Sequence, residues 1–169
     1  MKKIIWISVL FLIGAGFFYV KYFTMLLDSK DSAIIVNKSY AFQKDYQDKR
    51  KLANAVDNIF IGEVIREEEH GTKKNTQFLV RITQNIKGAL LGDITINQKG
   101  GYYKKNGKLY LLSYEKTPLL KKGEMYLFTV SKTKKGYYTM LPKYGSTLLD
   151  NEDAKLKLIE EYRAVLEEK

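Results

Sequence analysis

From residue 58 to residue 141 the sequence offers one strand signal after another and no helical period, which leaves a β architecture as the only economical fold. Residues 76–86 set the pattern: Phe78, Val80, Ile82 and Ile86 fall on one face, and Gln77, Arg81, Thr83 and Asn85 fall on the other. Leu79 and Gln84 are the exceptions. Residues 58–66 are rich in β-branched and aromatic side chains, residues 94–98 place Ile94 and Ile96 together, and Tyr126, Phe128 and Val130 share a face of residues 124–131. Residues 137–141 read as a shorter strand ended by Pro142. Between these runs lie turn signals: a charged connection at 67–75, Lys87-Gly88, Gly92-Asp93, Gly100-Gly101, Lys122-Gly123 and Lys134-Lys135-Gly136. Asn106-Gly107 predicts a two-residue hairpin turn between 102–105 and 108–112. About six short strands in a domain-sized stretch predict a mainly β protein. A small closed or nearly closed antiparallel barrel is expected, because a flat sheet would expose apolar edges. The expected core comprises Phe78, Val80, Ile82, Ile94, Ile96, Tyr126 and Phe128.

The N-terminal end carries a different signal. Lys2-Lys3 precede residues 4–20, an uncharged apolar run, and apolar character resumes after Lys21 as far as Leu27. As a helix, residues 4–27 would measure about 36 Å, enough to cross a ~30 Å hydrocarbon core with some tilt. The lysines favour a cytoplasmic N-terminus, so everything after Leu27 is expected outside, on a single-pass anchor in the cell membrane. Cleavage of a signal near Gly14-Ala15-Gly16, giving a secreted protein, and a buried core helix are the other readings of this segment. The sequence contains no cysteine, which rules out disulfides, thiolate metal sites, a Cys nucleophile and a lipidated N-terminal Cys.

Around the barrel, residues 28–40 read as a juxtamembrane tether. Ser39 is a candidate cap for a helix running to about Val56 along Phe42, Tyr46, Lys49, Leu52, Ala53 and Val56, a stripe that Lys49 interrupts. A final amphipathic helix is predicted from Asp150, with Glu152 and Asp153 in its first turn and an apolar stripe of Leu158, Ile159, Tyr162, Val165 and Leu166 that must pack on the sheet. The expected organisation is thus a cytoplasmic tip and anchor at 1–27, a tether and helix at 28–56, a barrel at 57–149 and a packed helix at 150–169. Charge divides unevenly: residues 57–149 carry a net +8 and residues 150–169 a net −3.

Three stretches resemble a known family. Val56-Asp57-Asn58-Ile59-Phe60-Ile61-Gly62-Glu63-Val64, then Thr76-Gln77-Phe78-Leu79-Val80-Arg81-Ile82 with Ile86-Lys87-Gly88, then Gly123-Glu124-Met125-Tyr126-Leu127-Phe128 are similar to the N-terminal barrel of metalloproteinase-inhibitor and netrin-like modules. The resemblance implies an OB-like barrel of the kind found in small exported bacterial proteins. Inhibitory members chelate the protease zinc through an N-terminal Cys that this chain lacks, so only the fold carries over.

The one notable surface feature is an interleaving of lysine and tyrosine: Lys99, Tyr102, Tyr103, Lys104, Lys105, Lys108 and Tyr110, repeated in Lys132, Lys134, Lys135, Tyr137, Tyr138, Lys143 and Tyr144. Aromatic faces stack and ammonium groups neutralise charge, which suits an anionic polymer. The same composition also fits lysines that blunt strand edges and tyrosines that fill cross-strand pairs. With the barrel outside the membrane, nucleic acid is set aside as a partner, leaving anionic cell-wall polymer, lipid headgroups or an exported protein. No catalysis, cofactor or metal is expected. His70 is the single histidine, it follows Glu67-Glu68-Glu69 at a hairpin tip, and no Gly-rich phosphate loop or calcium loop is present. The expected function is a membrane-anchored extracytoplasmic binding module. The alternative is an accessory or inhibitor acting on an exported hydrolase through its barrel loops.

Overall fold

The computed structural model describes residues 30–72 and 75–168, with the side chains of 69–72 excepted; the expected membrane span at 4–27 and the side chain of His70 lie outside this set. Among the described residues no helix is long and apolar enough to cross a membrane. In chain order the elements are β1 (Ile34–Lys38), α1 (Lys49–Ala55), β2 (Asn58–Thr72), β3 (Asn75–Lys87), β4 (Asp93–Lys99), β5 (Gly101–Lys105), β6 (Lys108–Tyr114), β7 (Met125–Lys132), β8 (Tyr138–Met140), β9 (Ser146–Leu148) and α2 (Glu152–Glu167). The described residues divide into two compact units. The smaller comprises 30–34 and 104–110; the larger comprises the remainder and holds every barrel strand.

Five strands close into a barrel in the order β2-β3-β4-β8-β7, with β7 returning to β2. Four contacts are antiparallel, and β4 and β8 run parallel, with Ile96 opposite Tyr138 and Asn97 opposite Thr139. The ring is thus mostly antiparallel, as the sequence leads one to expect, and one parallel contact is required because direction cannot alternate all the way around five strands. Counted along the barrel, the order is first, second, third, fifth, fourth. The protein is mainly β, with a closed OB-like barrel and a C-terminal helix.

Alternation explains the interior. Phe60, Val64, Phe78, Val80, Ile96, Tyr126, Phe128, Val130 and Met140 are buried together, with Ile82 and Ile94 half-buried against them, so all seven expected core residues face inward. Phe60 and Phe128 sit opposite each other in register and stack at 5.2 Å. At Gly62, where β2 is bonded on both sides, a Cβ would lie 2.7 Å from Val80 Cγ1 and 2.9 Å from the Arg81 carbonyl, so only glycine lets the strands approach. Irregularities in the β2–β3 register, between Ile61 and Gly62 and again between Val64 and Arg66, add the local twist that a small barrel needs to close. One end is plugged by Leu120, held by the buried Gln98 side chain, which accepts from Leu120 N (3.0 Å) and donates to the Pro118 carbonyl (2.6 Å).

Several boundaries differ from expectation for identifiable reasons. The hairpin expected to be a loop from residue 67 keeps its ladder, pairing Glu67 with Phe78 and Glu68 with Gln77. Residues 34–38, read as tether, form a strand, consistent with the β-branched Ile34-Ile35-Val36 run. The helix expected from Ser39 begins only at Lys49, because the Asp48 carboxylate accepts from Arg50 N (2.8 Å) and Lys51 N (3.3 Å) and is the effective cap. Helix α1 ends over Lys87, whose ammonium donates to the carbonyls of Ala53 (2.7 Å) and Val56 (2.5 Å). Strand β9, read only as irregular chain, pairs with β7. Helix α2 is capped by Asn151, one residue after the expected start, and buries Ile159 and Tyr162. Its stripe packs against Ile59 of β2 and Leu127 of β7, and also on Leu52, Ala53 and Val56 of α1. Lys49 pairs with Glu161 and Arg50 with Glu168 across the two helices.

Candidate binding site

Residues 37–46 comprise the end of β1 and most of its connection to α1, without regular structure after Lys38. They are fastened at three points to the turn after β6. Glu115 N donates to the Lys38 carbonyl (3.0 Å), Lys116 N to Asn37 Oδ1 (2.7 Å), and Tyr40 N to a Glu115 carboxylate oxygen (2.5 Å). That turn places Glu115 at φ 53° and Lys116 at φ 58°, left-handed conformations that cost non-glycine residues about 1 kcal/mol or more each. The fastening bonds, with Thr117 N to the Tyr114 carbonyl (2.9 Å), hold them there.

This fastening brings together aromatic side chains that are far apart in sequence. Tyr40 meets Phe42 edge-on at 5.0 Å and Tyr114 at 6.5 Å; Phe42 meets Tyr144 at 5.1 Å and Tyr46 at 6.2 Å. Two lysines lie over these rings: Lys99 Nζ is 4.4 Å from the Tyr40 centroid and Lys143 Nζ is 5.2 Å from that of Tyr144. Beside the cluster is a pocket of about 380 Å³, formed by Tyr40, Tyr46 and Lys99 with Thr129, Ser131 and Thr139 from β7 and β8, over Ala55, Val56, Met140 and Leu141. Lys99 is its single charged group, and none of these lining residues is acidic. The pocket is therefore electropositive, walled by aromatic rings and edged with hydroxyls.

The residues singled out in the sequence are distributed as follows. Lys99, at the end of β4, is half-buried and lines the pocket. Tyr102 and Tyr103 are half-buried on β5 in the larger unit. Lys104, Lys105, Lys108 and Tyr110 belong to the smaller unit, the three lysines exposed around the Asn106-Gly107 turn. That turn has φ 51° and 74°, as the hairpin signal predicts. Lys104 and Lys108 line a separate cavity of about 400 Å³ with Ser32 and Ile34. Tyr40, Tyr46, Ser131 and Thr139 were not anticipated. Tyr46 fits the helical stripe that the sequence suggests, and nothing in local spacing marks the two hydroxyl residues.

A third cavity, of about 280 Å³, lies between residues 115–120 and β9. Tyr126 at its wall donates to Glu124 (2.7 Å) and accepts from Lys121 N (3.3 Å); burial, with help from Glu124, pushes its phenol up to about 12, so it stays protonated. Among the described residues no group of three or more acidic or histidine side chains converges in a way that could hold a metal ion. Compared with known proteins, the sequence matches no family model and no curated protein.

Proposed function

We propose that this chain is a binding module without intrinsic catalysis, anchored by residues 4–27 and displaying an OB-like, netrin-like barrel outside the membrane to contact an anionic cell-surface polymer or lipid headgroup. The observation that carries this reading is the half-buried Lys99 ammonium in a pocket with no acidic lining residue. A cation in a pocket without an acidic lining residue, backed by an aromatic face, is suited to an external anion. The net +8 of residues 57–149 and the exposed Lys104, Lys105 and Lys108 support the same reading.

The test uses the full chain in a non-ionic detergent and a poly(glycerol phosphate) polymer. Binding is expected to weaken steeply with salt and to fall at least tenfold when Lys104, Lys105 and Lys108 are all replaced by Ala, whereas replacing Lys155 and Lys157 on the acidic helix should cost little. Salt-independent binding, or equal losses from the two sets, would sink the proposal. For the compartment, a reporter fused after Lys169 should be active only on the far side of the membrane.

A further inference from the structure

The pocket beside Tyr40 is more selective in its chemistry than a basic surface needs to be. Its volume of about 380 Å³ is within the range of small-ligand sites, at the lower end. Its walls offer three kinds of contact in separate places. Tyr40 and Tyr46 contribute aromatic surface and phenol groups, and Val56, Met140 and Leu141 contribute an apolar floor. On adjacent strands, Ser131 stands opposite Thr139 in register, with Thr129 two residues before Ser131. Thr129 Oγ1 donates to the Tyr144 carbonyl (2.9 Å) and Thr139 Oγ1 to the Asn97 carbonyl (3.5 Å). Thr129 is buried and serves the wall, so the half-buried Ser131 and Thr139 present the hydroxyls of this edge, and Thr139, its proton turned to Asn97, accepts. At another point stands one ammonium, Lys99, and no guanidinium.

A ligand matching all three must be compact, with an apolar face, several hydroxyl donors and one negative charge. We infer that the Tyr40–Lys99–Ser131 pocket binds a single sugar residue carrying one negative charge, either a carboxylate or a phosphodiester. The C–H face of a pyranose lies on the tyrosines and the apolar floor, its hydroxyls donate to Ser131 and Thr139, and its anionic group meets Lys99. The inference deepens the binding-module reading and rests on it, because such residues are what an anionic surface polysaccharide presents. A lone lysine suits a singly charged group. A doubly charged phosphate monoester would call for more cations or a bidentate arginine.

The experiment titrates the full chain in non-ionic detergent with methyl glucuronoside, with the methyl phosphodiester of glucose and with neutral methyl glucoside. Backbone amide shifts are followed by NMR. At least one charged sugar should bind ten or more times tighter than the glucoside, with the shifts centred on Lys99, Ser131 and Thr139. The preference between the two charged probes identifies the anion. Lys99→Met should remove the advantage of the charged sugar, since a hydrogen bond to a charged group contributes one to two decades of affinity, and Lys99→Arg should retain most of it. Ser131→Val should weaken charged and neutral sugars alike, by a few-fold. Equal binding of all three sugars, an unchanged preference in a folded Lys99→Met variant, or shifts confined to residues 104–108 would overturn the inference. If no sugar binds while the poly(glycerol phosphate) interaction persists, the pocket assignment falls and the surface reading stands. If the sugar binds but the polymer does not, the reverse holds.

Discussion

The barrel interior and the aromatic cluster beside Tyr40 lie in the same unit and are built on opposite rules. Inside the barrel, Phe60, Val80, Ile96 and Phe128 are wholly inaccessible and come from strands whose alternation puts them there. Around Tyr40, the rings are half-buried, carry hydroxyls or lysines, and are held by hydrogen bonds between residues about 75 positions apart, such as Tyr40 with Glu115. The first region excludes water and fixes the fold; the second keeps polar groups at its edge and leaves a pocket open. A small barrel has little interior to spare, so the pocket lies on its outer wall, where the strap of chain at residues 37–46 supplies a second wall.

The largest expected effect tests the interior. Val80→Asp buries a carboxylate among Phe60, Phe78 and Phe128, at a cost of about 3 kcal/mol or more against a total stability of about 5–15. Cooperative thermal unfolding of the variant at the wild-type temperature would show that Val80 is not core. Next, Lys87→Met removes two charged hydrogen bonds from the end of α1, worth about 1–3 kcal/mol. Hydrogen exchange should quicken in residues 49–56 while the amides of β3 and β4 stay protected. Equal loss of protection in both would mean that α1 and the barrel open as one unit.

A smaller effect lies at high pH and samples the barrel and the packed helix α2. Tyr126 in the barrel and Tyr162 on α2 are each pushed up to about 12, chiefly by burial. In the unfolded chain a tyrosine loses its proton near pH 10. The stability these groups contribute is therefore complete below pH 10 and lost as pH rises toward 12. Replacing either by Phe should flatten the decline in urea midpoint between pH 9 and 11.5, and replacing both should flatten it further. An unchanged slope in the double variant would contradict the burial of these phenols. Smallest of all, Arg50→Ala breaks an exposed ion pair with Glu168 and should shift stability by about 0.5 kcal/mol or less, measurable only by careful denaturant titration.

The contrast also explains what could be read from the sequence. Period-two alternation is a local signal, so Phe78, Val80 and Ile82 on β3 and Tyr126 and Phe128 on β7 declared their inward face without any structure, as Asn106-Gly107 declared its turn. Non-local pairing leaves no such mark. Strand β9 is only three residues long, β1 needs Glu115 to hold its end, and the Phe42 and Tyr46 spacing that suggested a helix serves a cluster whose other members are Tyr114 and Tyr144. In the candidate site, Lys99 was visible as one lysine among many. Its selection came from which rings and hydroxyls the barrel folds against it.

The odd number of strands in the ring has a kinetic consequence. Hairpin β2–β3 and its extension to β4 join neighbours in sequence, but the seam that completes the cylinder sets Gly62 against Tyr126, sixty-four positions away. Closing so long a loop loses chain entropy before the seam returns any contact energy, so formation of this seam should govern the folding rate. Loop entropy grows only logarithmically with length, and doubling a loop adds about 0.6 kcal/mol. The excursion between β4 and β7 can therefore change in length with little delay to folding, outside the residues the fold itself uses, such as Glu115, Lys116 and Leu120.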